Sequence, residues 1–318
     1  MSSFNLANKK IRLSIIIINF NLSREIENCL TSLLDKIKLK NESDYEIIIV
    51  DNNSTDKELP EVERKFKKDN IHFYYLDENL GFGRGCNYGF SKSIGEYICF
   101  LNPDTIIKEN IFPSVIELFE NDKTIGIIGP LQQTRSPFFD FSAGFSPNIF
   151  FELFNLIGLG IFVEGFIIFL YTKLKSGKLL KVEWILGAAI FISSELFNII
   201  NGFDIDYFMF FEEVDLCRRV SNKGYKIVYS PDLKIHHIGS VSGKKDYKLF
   251  TIRTYSSKYI YISKNFTSFK KKIMKFLLFT QLFSQVFIWT VLLPINKKKS
   301  KQKLGAFFYL INHRLKVN

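Results

Sequence analysis

The sequence predicts an α/β fold in which a doubly wound, mostly parallel sheet carries helices on both faces, followed by a basic, apolar helical tail. Helix-length segments separate four short and almost wholly apolar runs: Leu13–Ile18, Glu46–Val50, Ile71–Leu76 and Tyr97–Leu101. Such runs are typical of parallel strands that are buried on both faces. Their alternation with helices indicates right-handed crossover connections. Polar turn residues follow the runs, and basic residues concentrate near the C-terminus.

The segments between the runs have the periodicity of amphipathic helices. Ser23–Lys36 places Ile26, Leu30 and Leu33 on one face, with Ser23 as a possible N-cap. Further helices are predicted at Asp56–Lys68, Gly85–Ile94 and Glu109–Glu120, and a strand at Thr124–Ile128.

The regular pattern stops at about Gly129, and residues 130–181 are interpreted as an insert within a first domain of residues 1–250. Ser136–Pro147 is predicted as a loop. Ile149–Tyr171 is mostly apolar but contains Glu152 and Glu164. A membrane span is expected to carry fewer charges, so we predict an interfacial or hinge-like helical insert that faces the acceptor or the membrane.

Residues 251–318 are predicted to form a basic helical tail that associates with a membrane. Lys258 to Asn318 contains 13 Lys and Arg residues and no Asp or Glu, within a chain of net charge +11. Lysine clusters flank the apolar stretch Phe276–Leu293, which predicts a helix lying in the membrane interface rather than a span. Basic arms that bind nucleic acid are solvated and have no long apolar stretch at their centre. We therefore expect no nucleic-acid partner. The cysteine spacing favours a reducing compartment.

Two polar segments directly follow predicted strands, at the sheet edge where open α/β sheets bind ligands. In residues 51–56, Asp51 could accept a hydrogen bond from the imide group of a pyrimidine; alternatively, the segment only closes a turn and caps a helix through Ser54 or Asp56. In residues 102–104, Pro103 keeps the preceding residue extended, and Asp104 with phosphate oxygens could hold Mg²⁺ or Mn²⁺. The alternative is a plain type I turn.

Residues 79–87 form a glycine-rich segment after the third strand. Its three glycines permit close approach of a ligand to the backbone, and Arg84 could contact a phosphate group. The segment lacks the glycine spacing of dinucleotide-binding folds, and many glycine-rich turns bind nothing.

Residues 210–219 open a predicted helix with two aromatic and two acidic residues. A carboxylate beside apolar rings has a raised pKa, so one of these glutamates could deprotonate a hydroxyl group. The alternative is that acids in the first turn only complement the helix dipole, with Asp215 and Arg219 forming an i,i+4 pair. His236 and His237 follow a strand and could complete a metal site, or be ordinary hydrogen-bonded histidines.

Taken in order, these segments resemble the family 2 inverting glycosyltransferases with a GT-A fold, particularly the rhamnosyltransferase-like branch. The resemblance covers roughly residues 12 to 245. The matching stretches are residues 14–21, 50–56, 79–87, 100–104, 184–189, 202–204, 211–218 and 237–242.

The resemblance implies a role for each matching position. The residues expected to contact the nucleotide are Asn19, Asn21, Asp51, Asn53, Arg84 and Asn87. Asp104 would hold the divalent cation with His237, Glu213 would be the general base, and Trp184 and Glu212 would lie on the acceptor side. Asn102 stands where the wider family commonly has Asp. Glu213 stands where its usual base is Asp, so Glu212 or Asp215 are alternative bases.

The sequence therefore predicts an inverting hexosyltransferase that uses Mg²⁺ or Mn²⁺. The enzyme would move a sugar, such as rhamnose or another hexose, from an NDP-sugar to a saccharide or lipid-linked saccharide acceptor. Its expected location is the cytoplasmic face of the cell membrane, peripheral or held by a single helix, in cell-surface polysaccharide synthesis. An alternative is a catalytically silent nucleotide-binding membrane scaffold. A nucleotidyltransferase would share the α/β layer, but the first strand has no glycine-rich and basic phosphate-binding segment to support that function. The sequence leaves the oligomeric state open.

Overall fold

The secondary structure alternates between strands and helices up to residue 133. The computed structural model describes residues 11–41, 44–133, 142–174, 179–239, 246–313 and 315. The strands are Leu13–Asn19 (β1), Tyr45–Asp51 (β2), Ile71–Tyr75 (β3), Tyr97–Leu101 (β4), Thr105–Ile106 (β5), Ile125–Gln133 (β6), Ala143–Gly144 (β7), Leu180–Lys181 (β8), Trp184–Ile185 (β9), Ala189–Ser193 (β10) and Lys226–His237 (β11).

The helices include two in the insert and three in the tail. Their bounds are Ser23–Lys36 (α1), Leu59–Lys65 (α2), Phe82–Lys92 (α3), Phe112–Asn121 (α4), Ile149–Leu156 (α5), Gly160–Leu174 (α6), Ser194–Ile199 (α7), Glu212–Asn222 (α8), Tyr247–Asn265 (α9), Ser268–Val291 (α10) and Lys297–Asn312 (α11).

The main sheet is mixed but mostly parallel, as predicted. Its order in the described part of the chain is β3-β2-β1-β4-β10-β6-β11-β5, with β8 pairing to β11. β1 pairs in parallel with β2 and β4, whereas β10 runs antiparallel between β4 and β6. This arrangement brings the carboxyl ends of β1, β2 and β4 to one edge.

Both faces of the sheet are covered, which explains why the middle of each central strand is apolar at consecutive positions. Side chains alternate between faces along a strand. In β1, Ile15 and Ile17 belong to one buried cluster, while Ile16 and Ile18 belong to the other. The alternating apolar and polar pattern of a half-exposed sheet is therefore missing, as expected for a sheet between two helical layers.

α1 spans Ser23–Lys36 as predicted, but the caps suggested for α1 and α2 are wrong. Ser23 is the first residue of α1 and not its cap; its backbone N–H and hydroxyl both donate to Asp56, at 3.1 and 2.9 Å. Asp56 therefore satisfies the start of α1 instead of capping the next helix. That helix, α2, begins only at Leu59, next to Pro60, because proline fits the first turn, where no intrahelical N–H is needed.

The tail packs onto the α/β body. A third buried cluster combines Tyr207 and Val214 with apolar residues of α9, α10 and α11. Asn265 at the end of α9 donates to Asp215 at 3.0 Å and accepts from Arg218 at 2.9 Å. Within the described residues, α10 is the helix long and apolar enough to cross a membrane, and 28% of its most apolar stretch is buried.

The predicted insert forms two helices, α5 and α6, joined by a short turn at residues 157–159. α5 packs against α10 of the tail. The loop predicted at residues 136–147 lies partly outside the described residues.

Candidate active site

Asn19 and Asp51 lie opposite each other at the carboxyl ends of β1 and β2. The Asn19 amide donates to the Asp51 carboxylate at 2.7 Å. The hydroxyl and backbone N–H of Ser54 also donate to this carboxylate, at 2.6 and 3.0 Å. Asp51 therefore closes a turn with Ser54, which is the alternative reading of residues 51–56. The contact of Asp51 with a base stays a prediction.

Asn21 and Asn53 shape the loop above this edge. Both have left-handed backbones, with φ values of 56° and 60°, a conformation that asparagine tolerates better than most residues. The Asn21 side-chain oxygen accepts from the backbone N–H groups of Thr55 and Asp56 at 2.6 and 3.1 Å. The Asn53 amide donates to the Asp77 carbonyl at 2.9 Å. The side chains of Asn21 and Asn53 thus stabilise the loop that is predicted to contact the nucleotide.

Asn52, which sequence reasoning did not single out, connects this loop to the glycine-rich segment. Its amide donates to the Gly81 carbonyl at 2.9 Å and accepts from the Leu80 N–H at 3.1 Å. Gly81 has φ +82°, and a Cβ there would lie 2.1 Å from the carbonyl oxygen of Phe208. The glycine-rich segment therefore contacts the loop that precedes α8, and glycine is required at this position.

We expect Gly81→Ala to lower the free energy of unfolding by about 1–3 kcal/mol, because the added methyl group collides with backbone and φ is unfavourable. Denaturant unfolding measures this change. Gly187→Ala is the matched control, since a Cβ at Gly187 meets nothing within 4 Å. Equal stability of the two variants would contradict the close approach at Phe208.

Arg84 and Asn87 contact the segment 202–205 that follows α7. Both polar atoms of the Asn87 amide bond to the backbone of Phe203, each at 2.8 Å. The exposed Arg84 donates to the Ile205 carbonyl at 2.9 Å. Contact with the nucleotide stays a prediction for both residues, and a single sequence offers no signal for the contacts seen here.

Asp104 and His237 meet although 133 positions separate them. β5 pairs antiparallel with β11, which places Thr105 opposite His237. The His237 Nε2 atom lies 3.1 Å from an Asp104 carboxylate oxygen, and both side chains are largely buried. Asp104 lies between β4 and β5, three residues after the end of β4.

The entry to α8 is strained. Phe210 and Phe211 have left-handed backbones, with φ values of 71° and 65°. A non-glycine residue in this conformation costs about 1–3 kcal/mol and persists where the surroundings enforce it. Here the Phe210 ring packs edge-on against Phe250 of α9, at 4.8 Å between centroids. This turn sets the positions of Glu212 and Glu213.

Glu212 and Glu213 differ in access to solvent. Glu212 is buried, whereas Glu213 is half-buried and lines a cavity. Burial raises the pKa of Glu213 to about 7. Burial, and then the charge of Glu213, raise the pKa of Glu212 well above its usual value. Among the described residues, one carboxylate oxygen of each has no hydrogen-bond partner. Glu213 therefore carries a carboxyl group with a pKa near neutrality in the wall of a cavity.

Asp215, the other alternative base, is already engaged. Its carboxylate accepts from Arg219 at 2.7 Å and from Asn265 at 3.0 Å. The predicted i,i+4 pair with Arg219 is thus present within α8. The separate hydrogen bond from Asn265 connects Asp215 to the end of α9.

The Glu213 cavity, of about 240 Å³, lies between α8, the insert and α9. Trp184 forms one wall; its indole N–H donates to the Phe145 carbonyl at 2.9 Å. Glu152 of α5 and Lys258 of α9 form a buried ion pair at 2.5 Å in the same cavity. Aromatic walls with a few polar groups are typical of small-ligand sites. The full lining is Phe145, Pro147, Phe151, Glu152, Asn155, Glu164, Trp184, Phe210, Phe211, Glu213, Val214, Phe250, Thr254 and Lys258.

Sequence reasoning did not assign Glu152, Glu164 or Lys258 to the site. Burial raises the pKa of Glu164, although its carboxylate accepts from the Phe145 N–H at 3.0 Å. The sequence did show two charged residues, Glu152 and Glu164, within an otherwise apolar stretch. That these residues share a cavity with Lys258 depends on how the insert packs against the tail.

Solved structures with similar folds support the GT-A architecture. The mannosyltransferase PcManGT of Pyrobaculum calidifontis, in complex with GDP-Man and Mn²⁺, has a TM-score of 0.59 and 14% identity over 95% of this chain and 87% of that one. GalNAc-T7, with UDP, GalNAc and Mn²⁺, has a TM-score of 0.56 and 14% identity over 85% of this chain and 55% of that one. At these identities the likeness concerns the fold, which is GT-A.

Three relatives are similar in sequence. An uncharacterized glycosyltransferase of Nostoc sp. is 29% identical over 37% of this chain and 35% of its own length, so the match spans about a third of that relative. The rhamnosyltransferase WbbL of Escherichia coli is 25% identical over 66% of this chain and 79% of its own. The N-acetylglucosaminyl-diphospho-decaprenol L-rhamnosyltransferase of Mycobacterium tuberculosis is 22% identical over 79% of this chain and 84% of its own length.

The sequence model described as "Glycosyl transferase family 2" matches residues 14–175, just over half of the chain. This region contains β1 to β6 and the polar segments after β2 and β4. The chain therefore belongs to glycosyl transferase family 2.

Proposed function

We propose that this protein transfers a hexose, with rhamnose as the first candidate, from an NDP-sugar to a saccharide or lipid-linked saccharide acceptor, with inversion. The observation that carries the proposal is Glu213, a half-buried carboxylate of raised pKa in a cavity with aromatic walls. The rhamnosyltransferase relatives support the donor, and the decaprenol-linked substrate in one relative's name supports the acceptor.

In this mechanism the acceptor saccharide occupies the cavity against Trp184. Glu213 takes the proton of one acceptor hydroxyl group, and the resulting oxygen attacks the anomeric carbon of the donor through an oxocarbenium-like transition state. The bond between that carbon and the diphosphate breaks as the new glycosidic bond forms on the opposite face. Glu212, which is buried next to Glu213 in the chain, would lie on the acceptor side.

The donor nucleotide would bind along the edge formed by β1 and β2. Asp51 would accept from the pyrimidine, and the loop held by Asn19, Asn21 and Asn53 would enclose it. Asn87 and Arg84 would border the diphosphate from α3. The connection through Asn52, Gly81 and Phe208 supports this arrangement because it joins the nucleotide edge to the turn before Glu213.

A divalent cation, Mg²⁺ or Mn²⁺, fits the donor set of Asp104 and His237. A carboxylate oxygen and an imidazole nitrogen 3.1 Å apart are ligands that Mn²⁺ accepts, and diphosphate oxygens would supply further positions. The described residues contain no group of three or more His, Cys, Asp or Glu side chains placed to hold a metal ion. When bound, the cation would neutralise charge on the diphosphate leaving group.

We expect Asp104→Asn to weaken Mn²⁺ binding in the presence of a nucleoside diphosphate by about tenfold or more, because loss of a ligand costs at least as much as loss of an outer-shell partner. Electron paramagnetic resonance of free Mn²⁺ during titration measures it. Asp69→Asn, at an exposed position near the start of β3, is the control. Unchanged affinity in Asp104→Asn would remove Asp104 from the cation site.

The tail would hold the enzyme at the cytoplasmic face of the cell membrane, where a lipid-linked acceptor for cell-surface polysaccharide synthesis is available. Residues 258–318 of the tail contain 13 basic residues and no acidic ones, which favours an anionic surface. Attachment would be peripheral, or by α10 as a single helix.

A panel of NDP-sugars, screened for metal-dependent release of NDP with and without saccharide acceptors, tests the function directly. Release that requires one donor and increases with an acceptor is expected. Nucleotide binding without release for every donor would favour a silent scaffold. Anomeric configuration of the product, read by NMR, tests inversion.

A further inference from the structure

Helix α10 is apolar on two opposite faces. One face, with Met274, Leu278 and Leu282, is completely buried against neighbouring helices. The other carries Phe276, Phe279, Phe283 and Phe287, exposed by 67%, 37%, 52% and 71%. Their spacing of three and four residues places these rings in one stripe. A stripe of exposed phenylalanines over three turns is unusual for a surface that only meets water.

The insert carries a similar surface. In α5, Phe150 and Leu153 are exposed by 53% and 51%, and Ile157 in the following turn by 62%. In α6, Phe166 and Leu170 are exposed by 61% and 42%, four residues apart and hence on one side.

The insert and α10 are in direct contact, so the two apolar surfaces are neighbours. The Gln281 amide of α10 donates to the Asn155 carbonyl of α5 at 3.3 Å. A Cβ at Gly158, in the turn between α5 and α6, would lie 3.6 Å from Ile288. Segments more than a hundred positions apart in sequence therefore combine at one side of the molecule.

Charge identifies the partner of this side. Exposed lysines border α10 at both ends: Lys270 and Lys272 at its start, and Lys297, Lys298 and Lys301 at the start of α11. Two copies of this chain meeting through α10 would bring these like charges together, whereas an anionic bilayer offers opposite charge at its surface and an apolar interior beneath.

We propose that the exposed faces of α5, α6 and α10 form one lipid-contacting surface, consisting of Phe150, Leu153, Ile157, Phe166, Leu170, Phe276, Phe279, Phe283 and Phe287, which seats the protein on an anionic bilayer. α10 lies in the interface with its inner face still packed on the protein. A spanning α10 would have to separate Gln281 from Asn155 and expose its buried leucines.

This geometry places the Glu213 cavity directly behind the lipid-contacting surface. α5 turns Phe150 and Leu153 outward, while Phe151, Glu152 and Asn155 line the cavity. One helix, about 10 Å in diameter, thus separates the bilayer from the cavity. The consequence for catalysis rests on the proposed function: the acceptor would be a saccharide held close to its membrane lipid, and not a chain end far from the surface.

Flotation with phosphatidylglycerol-containing vesicles tests the surface. The double substitutions Phe166→Ser with Leu170→Ser, and Phe283→Ser with Phe287→Ser, should each lower the partition coefficient by about tenfold to a hundredfold. Ile94→Ser, at a residue 71% exposed after α3, is the matched control and should float like the wild type. Thermal unfolding verifies that each variant is folded, and Phe150→Ser is a second probe of the insert.

Vesicle binding of the α6 variant equal to that of the wild type would overturn the proposal, because the insert would then not meet lipid. Self-association of the wild type in sedimentation without vesicles, abolished by the same substitutions, would assign the surface to a second copy and also overturn it. The assay contains neither donor nor acceptor, so its failure leaves glycosyl transfer untouched. A folded, floating protein that releases no NDP would contradict only the proposed function.

Discussion

Replacing Glu213 with Gln is expected to lower turnover by about 10²–10⁴-fold and to leave nucleotide affinity unchanged. The amide has nearly the shape of the carboxylate but cannot take the proton of the acceptor hydroxyl group. Single-turnover kinetics with the donor found in the NDP-sugar screen measures the loss. Titration with the nucleoside diphosphate measures the affinity.

The pH dependence provides an independent check of the same residue. Because burial raises the pKa of Glu213 to about 7, its basic form is lost as pH falls through that value. The wild-type kcat/KM should therefore fall about tenfold per pH unit below roughly pH 7 and level off above it. This limb should vanish in Glu213→Gln.

Glu212→Gln is the matched control, since it alters a neighbouring carboxylate that is buried away from the cavity opening. We expect it to retain most of the turnover. If Glu212→Gln removed the pH limb while Glu213→Gln kept it, the base would be Glu212. Full activity of Glu213→Gln at neutral pH would exclude Glu213 from proton transfer.

Replacing Glu152 with Ala is expected to lower the free energy of unfolding by about 3–5 kcal/mol. The substitution leaves the ammonium group of Lys258 without its partner, in a cavity where Glu152 is 3% and Lys258 is 9% exposed. A stranded buried charge retains its desolvation cost without the compensating attraction. Equilibrium unfolding in urea measures the change.

Two controls separate this effect from simple loss of a side chain. Glu152→Leu combined with Lys258→Met removes both charges and should recover most of the stability. Asp122→Ala, which breaks an exposed pair with Lys226, should cause no comparable loss because solvent screens that pair. A double variant as unstable as Glu152→Ala would show that packing, and not charge, dominates at this site.

Much of the fold was predictable because burial on both faces leaves a direct mark on the sequence. β1, β2 and β4 are almost wholly apolar runs, and polar residues follow where each strand reaches the sheet edge. The start of α2 was harder to place, because the acid near it, Asp56, caps α1 through contacts 33 positions away. A local pattern cannot distinguish a cap for the nearer helix from one for a distant helix.

Some residues of the candidate site were likewise predictable from sequence, whereas others were found only in the structure. The ordered motifs indicated glycosyl transfer because each residue type suits its chemistry: acids for cation and proton, glycines for close backbone approach. Asp104 and His237 were named from sequence, and the pairing of β5 with β11 brings them together. Asn52, Glu152 and Lys258 were not identified, because their partners lie on other elements.

The sequence by itself determined the layered α/β fold, the membership of glycosyl transferase family 2 and the basic, apolar character of the tail, since these follow from local patterns of polarity and charge. Tertiary structure decided which side chains share a cavity and which faces of α5, α6 and α10 remain exposed. The physical reason is that burial and ion pairing depend on contacts between segments far apart in the chain. The Glu213 cavity exists only where insert, α8 and tail helix meet.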